Sequence, residues 1–291
     1  MEEKNKLTDK VVNALDANMD GKVDIVDIVI LGMKTPGVRI DRASLFRKEL
    51  SRYYPKEVIE KAIQTTPNEA GISSERIDRI ADEIIKFERN CVSGISAALG
   101  TPGGWAMAAT IPADIIQYYG YTLRAAQKLM YLYGYPSLQE ATIDNQIDSQ
   151  TMNSLILCLG IMNGVAGANN AMKVMAKAFA NGVEKKLLQK ALTKGTIYPI
   201  VKAVMKWFNV KLTKALFAGF FKKAIPVIGG VLGGGITFFS FKPCCIRLQK
   251  TLQDTVLSNP KSVLSEEEQT LYEEIISEQN AATSDNESDT L

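Results

Sequence analysis

The run Gly94-Ile-Ser-Ala-Ala-Leu-Gly-Thr-Pro-Gly-Gly-Trp105, followed by Ile111-Pro-Ala-Asp114 and closed by Tyr133-Gly-Tyr-Pro136, decides the fold class. From Ser93 to Ala113 it carries no charge and is rich in glycine and alanine, with Pro102-Gly-Gly104 as a break. Thr110-Ile-Pro112 then predicts a helix start, because a proline in the first turn lacks only an N–H that has no intrahelical partner. The helix runs to about Tyr133, where Gly134 and Pro136 stop it. Inside it an acid, Asp114, and a base, Arg124, stand in apolar surroundings. Ten residues of helix give a rise of about 15 Å and a different face. The two cannot pair on one straight helix, so each needs a partner on another element.

Helical spacing recurs on both sides of this run. Upstream, Ser73-Ser74-Glu-Arg-Ile-Asp opens a helix with a capping pattern, and Ile77, Ile80, Ala81, Ile84, Ile85, Phe87 and Cys91 form its apolar stripe. Further upstream lie charged helices over 42–54 and 55–65, then the breaker Pro67-Asn-Glu-Ala-Gly71. Downstream, residues 149–172 are uncharged, with Gly160, Gly164, Gly167 and Ala168 small enough to let backbones approach. A final amphipathic helix is predicted over roughly Cys245–Leu257. Ser265-x-x-Glu268 opens a short acidic helix, and Asn280–Leu291 has the composition of a disordered tail. No strand alternation and no solenoid period are visible. The expectation is an all-α, multi-helix domain with Gly-rich apolar helical hairpins. It divides into 1–35, a connector 36–67, a main domain 68–257 and a tail 258–291.

Composition removes several chemistries. Among 291 residues there is no histidine, so Ser-His-Asp and Cys-His catalysis and His-ligated zinc are excluded. The four cysteines, Cys91, Cys158, Cys244 and Cys245, have no CxxC spacing and read as free thiols. The Gly-rich runs 100–104 and 229–235 lack the Gly-Lys-Ser/Thr ending of a P-loop and follow no strand. The polar start Met1-Glu-Glu-Lys-Asn-Lys shows no secretory pattern, which makes the cytoplasm the expected compartment.

The N-terminal unit carries a chelating pattern. In Asp16-Ala-Asn-Met-Asp-Gly-Lys-Val-Asp-Ile-Val-Asp27, oxygen-bearing side chains stand at the first, third, fifth, ninth and twelfth positions. These are Asp16, Asn18, Asp20, Asp24 and Asp27, and Lys22 would add its backbone carbonyl at the seventh. Gly21 sits where the chain must turn with positive φ. The loop resembles EF-hand loops and, more closely, dockerin repeats, which close with Asp. It predicts calcium rather than magnesium, bound weakly because Asp27 is short and no second loop pairs with this one. The other reading of the same residues is a solvated turn between two helices.

The charge distribution points toward anionic surfaces. Between Lys173 and Lys223 there are twelve lysines and one acid, Glu184. Eighteen uncharged residues, 224–241, follow, with Lys222 and Lys223 on one side and Lys242 on the other. Their length approaches a bilayer span, but five glycines and Pro226 weaken it as an independent span and favour the alternative, a buried helical hairpin. Lysines near an anionic leaflet contribute on the order of 1 kcal/mol each, so Lys185, Lys186, Lys222 and Lys223 are the expected membrane contacts. The block has no arginine, and no nucleic-acid partner is expected.

The set Ala98-Leu-Gly-Thr-Pro-Gly-Gly, Ile111-Pro-Ala-Asp114, Arg124 and Leu132-Tyr-Gly134, with Ile225-Pro-Val-Ile-Gly-Gly-Val-Leu-Gly-Gly-Gly-Ile-Thr and Arg247, resembles the EcsC family of bacterial proteins. The likeness covers about residues 68–257 and leaves out the N-terminal loop. It implies a bacterial intracellular protein associated with the inner face of the cell membrane, with ABC transporter components as partners. It implies no reaction. The functional expectation is a non-enzymatic membrane-surface or lipid-interacting helical protein, modulated by calcium. The alternative is a small-molecule enzyme whose pocket gathers Asp114, Arg124, Tyr118 and Tyr121.

Overall fold

In the computed structural model the described residues are 12–99, 106–138, 147–183, 185–222 and 226–288, with backbone alone at 96–99, 106–112, 114, 185, 213–222, 226–237 and 279–288. Among them every regular element is a helix and none is a strand, as the all-α expectation requires. In chain order they are α1 (described over 12–15), α2 (Ile25–Lys34), α3 (Arg42–Leu50), α4 (Lys56–Gln64), α5 (Ser74–Leu99) and α6 (Ala106–Leu132). After these come α7 (Ser149–Met162), α8 (Ala168–Ala180), α9 (Lys185–Thr193), α10 (Tyr198–Lys222), α11 (Pro226–Gln253) and α12 (Glu266–Ser288).

The frame is made by α5, α6 and α11. α6 runs antiparallel to α5, as three side-chain bridges show: Tyr133 to Asp78, Arg124 to Glu88, and Gln117 to the Val92 carbonyl. α11 runs antiparallel along another side of α5, with Gln249 donating to Asp82 and Arg89 stacked on Phe238. Tyr118 meets Phe241 edge-on at 6.3 Å and ties α6 to α11.

Beside this frame, α7 is the central helix. It has almost no hydrophobic periodicity because residues 151–162 are all buried, and a helix apolar on every side belongs inside a core. Gly160 is where α10 crosses it: a Cβ there would meet Val204 Cγ2 at 2.7 Å. Of the glycines in the small-residue spacing read from the sequence, Gly160 serves close packing, whereas Gly164 and Gly167 take φ +73° and +81° in the turn between α7 and α8.

One hydrophobic cluster runs from Leu15 to Ile275, so the units read from the sequence share a core. α2 packs against α6, α7 and α10, and Gly32 faces Gly120 with Leu123 beside it. The connector is held by Arg42, 7 % exposed, whose guanidinium donates to the carbonyls of Ala62, Ile63 and Thr65.

Four boundaries differ from expectation. α6 begins at Ala106 rather than at Thr110, so Pro112 lies in its second turn. The preceding Ala-Met-Ala-Ala has high helix propensity and extends the helix backward past the proline. Residues 229–235 lie within α11, and that single helix also includes the segment expected to start a new one at Cys245. It continues through Pro243, which has no N–H to offer the carbonyl of Phe239. α12 extends to Ser288, past the point where a disordered tail was predicted; its Ser265–Glu268 capping box is formed as expected.

The end of α6 is as read. Gly134 takes φ +93°, and the Tyr135 N–H returns to the Met130 carbonyl at 3.0 Å. A Cβ at Gly134 would lie 3.2 Å from the Leu257 carbonyl oxygen. Gly134→Ala is therefore expected to cost about 1–3 kcal/mol. A urea titration should show a lower midpoint with an unchanged m value.

Candidate functional site

α5 and α6 meet around a buried carboxylate. Glu88 is 0 % exposed, and its Oε1 accepts from Lys128 Nζ at 2.6 Å and from Arg124 Nη2 at 3.2 Å. Gln117, Tyr121, Arg124 and Lys128 are spaced four, three and four residues apart, which puts them on one stripe of α6. Glu88, Cys91 and Val92 form the facing stripe of α5. Arg124 also donates to the Gly37 carbonyl at 2.8 Å and stacks on Tyr121, with 5.4 Å between guanidinium and ring centroid. Lys128 stands 5.8 Å from the Phe87 ring.

Among the described residues three polar atoms of the cluster are buried without a partner, Glu88 Oε2, Arg124 Nε and Gln117 Oε1. A small cleft of about 120 Å³ reaches Lys128 and is lined by Lys48, Arg52, Glu49, Glu83 and Phe87. Burial pushes the Cys91 thiol and the Tyr121 hydroxyl above their usual ranges, so both stay neutral near pH 7. The arrangement holds one acid between two bases and can organise a hydrogen-bonding ligand or water. It presents no activated nucleophile.

Arg124 thus has the distant partner the sequence demanded, and Tyr121 belongs to the same stripe. Tyr118 does not. It packs on Phe241 and hydrogen-bonds Ser240 on the α11 side, where burial lifts its hydroxyl to about 12. Tyr118 follows Gln117 by one residue, about 100° of rotation, which turns it off the stripe and toward α11. The carboxyl of Asp114 lies outside the described side chains. Sequence reading missed Glu88 and Lys128; Lys128 lies four residues beyond Arg124, and that i,i+4 spacing was the available signal.

The N-terminal loop closes on itself. Asp16 accepts from the amides of Asp20 and Gly21, Asn18 from that of Asp20, and Asp20 from that of Lys22. Gly21 takes φ +81° as expected, and Met19 joins it at +61°. Asp24 and Asp27 form a reciprocal capping box at the start of α2. Asp27 is fully buried, with one oxygen on the amides of Ala17 and Asn18 and the other on that of Asp24. Burial raises its pKa from the ordinary aspartate value, against the pull of those amides. Among the described residues no three such side chains converge as a metal cage, because each carboxylate turns to backbone N–H groups.

Of the predicted membrane contacts, Lys186 is exposed on α9. The Lys185 and Lys222 side chains and the whole of Lys223 lie outside the described residues. The four cysteines are free, with Cys158 and Cys245 buried.

No family model, no curated protein and no solved structure matches this chain. The resemblance to EcsC proteins therefore rests on the quoted motifs alone.

The buried cluster yields a direct test. Glu88→Ala strands Lys128 and should cost about 3–5 kcal/mol, whereas Glu88→Leu with Lys128→Met should recover most of that loss. Urea denaturation of the two variants reads both values. A Glu88→Ala cost within the ~1 kcal/mol range of surface pairs would mean that the cluster is open to water.

Proposed function

We propose that this protein is a non-enzymatic helical protein that docks on anionic membrane surfaces. The observation that carries this reading is an apolar patch on the α5–α11 pair. Phe239 is 77 % and Phe238 37 % exposed, with their ring centroids 5.6 Å apart. Arg89 stacks on Phe238 at 4.0 Å, and Lys242 is exposed beside the pair. Exposed aromatics flanked by cations suit the headgroup region, where the ring enters the apolar layer and the charge stays in water. The patch lies where α5 and α11 lead into the uncharged runs 93–113 and 224–241.

The lysine block adds long-range attraction. Lys186, Lys190, Lys194, Lys202, Lys206 and Lys211 are exposed, and among the described residues none forms an ion pair. Lys173 is different, being paired with Asp254 and Glu268. No helix of the described residues is long and apolar enough to cross a membrane, so the reading is peripheral attachment. Its cellular setting is the inner face of a bacterial membrane. ABC transporter components enter as partners through the EcsC-like motifs alone. The enzyme alternative draws less support, because Arg124 is committed to Glu88 and Gly37 while Tyr118 faces another helix.

The donor set of the N-terminal loop supports calcium as a modulator within this reading. Coordination by Asp27 has to draw it off the three amides it now accepts from. Calcium binding and the start of α2 are therefore coupled, and α2 packs into the core.

Two measurements test the proposal. The full chain should sediment with anionic vesicles in preference to neutral ones, and salt should weaken the preference. Phe239→Ser removes a ring worth ~1.5–3 kcal/mol when buried, so it should weaken binding by about tenfold or more. Equal sedimentation with both vesicle types would reject the reading. Calcium titration calorimetry of the full chain should give heat and a raised melting temperature, and Asp16→Ala should remove both. No heat and no thermal shift would reduce the loop to a helix-breaking turn.

A further inference from the structure

A second cavity, of about 240 Å³, lies between the end of α6 and the helices α7, α8 and α9. Met130, Tyr135, Leu138, Met175, Phe179 and Leu188 make its walls apolar. One side differs. Gln150, Thr151 and Ser154 on the first turns of α7 line it with polar groups. Thr151 is 4 % and Ser154 2 % exposed, and among the described residues neither hydroxyl takes part in a hydrogen bond. A helical serine ordinarily returns its hydroxyl to the carbonyl four residues back. Ser154 instead lines the cavity, where its hydroxyl is open to a hydrogen-bonding ligand.

We propose that this cavity takes a single acyl chain of an anionic lipid, with the ester carbonyl on the Gln150–Thr151–Ser154 strip. Three observations select that ligand. Among the described residues no charged side chain lines the cavity, which favours an apolar chain over a charged headgroup inside it. Its volume exceeds the ~150 Å³ that holds benzene yet stays below the ~300–1,000 Å³ of whole drug-sized ligands, so one chain fits and an entire lipid does not. The walls are rich in methionine and leucine, which adapt to a flexible chain. Lys186 and Lys190, two residues either side of Leu188, are exposed on the face of α9 turned away from the cavity, so the anionic headgroup is taken from the membrane-surface reading above. Delivery of the lipid rests on the membrane-surface reading above; the cavity itself does not.

The probe is lauroyl lysophosphatidylglycerol, titrated calorimetrically into the full chain, with glycerophosphoglycerol as the headgroup-only control. One site is expected for the lysolipid and none for the control. Ser154→Leu fills the cavity and deletes the hydroxyl, and should weaken binding by about tenfold or more. Leu188→Ala enlarges the cavity and should shift the preference from lauroyl toward palmitoyl chains, which decides the matter even where Ser154→Leu folds poorly. A silent lysolipid titration, a folded Ser154→Leu that binds like the parent, or an unchanged chain-length preference in Leu188→Ala would each overturn the proposal. Vesicle sedimentation of the same proteins separates the two claims. Intact sedimentation with a silent titration rejects the cavity site alone. A saturable lysolipid site without sedimentation supports the cavity and rejects the surface reading.

Discussion

Glu88 is the constraint on which the rest of the structure depends. A carboxylate with no solvent exposure, placed between α5 and α6, has to be answered by cations from the facing helix. Only one register of the antiparallel pair brings both Arg124 and Lys128 to it. An apolar seam could slide by a turn at small cost, whereas a slide here would strand a buried charge. The register fixed at Glu88 also places Tyr133 on Asp78 and Gln117 on Val92.

The same stripe of α6 reaches the N-terminal third of the chain. Arg124 donates to Gly37, while Gln127 donates to Val38 and accepts from Ile40. These bonds hold the turn after α2, whose Gly32 lies against Gly120 of α6. The calcium-like loop is therefore not an appendage. Asp27 closes the loop and caps α2 at once, so a change in its coordination is transmitted to a helix that contacts α6, α7 and α10.

The sequence was most legible where local chemistry acts alone. Gly134 ends α6, Ser265 caps its helix, and the apolar stripe of α5 faces inward, all through interactions within a few residues. It was least legible where distant groups decide. In Lys86-Phe-Glu-Arg-Asn90, Glu88 looks like any exposed charge, and only Arg124 and Lys128, 36 and 40 residues away, make it a core residue. Phe87 shows the converse, an apolar residue on the predicted stripe that is 53 % exposed. Neither the α7–α9 cavity nor the exposed Phe238–Phe239 pair leaves a pattern in the chain, since both depend on what neighbouring helices fail to cover. Asp114 was read as an anomaly by the same logic as Arg124; Arg124 has its partner in Glu88, and the Asp114 side chain lies outside the described residues.

A charge-registered frame carries an exposed aromatic patch, and peripheral docking on a membrane through that patch is what we propose. The exposed rings, the unpaired lysines and the absence of a spanning helix among the described residues all bear on one property, the manner of attachment. The most direct measurement is fractionation of cells producing the full chain, with an alkaline carbonate wash of the membrane pellet. The account expects the protein in the pellet before the wash and in the supernatant after it. Retention after the wash, as for a spanning protein, or absence from the membrane fraction at the outset would contradict it.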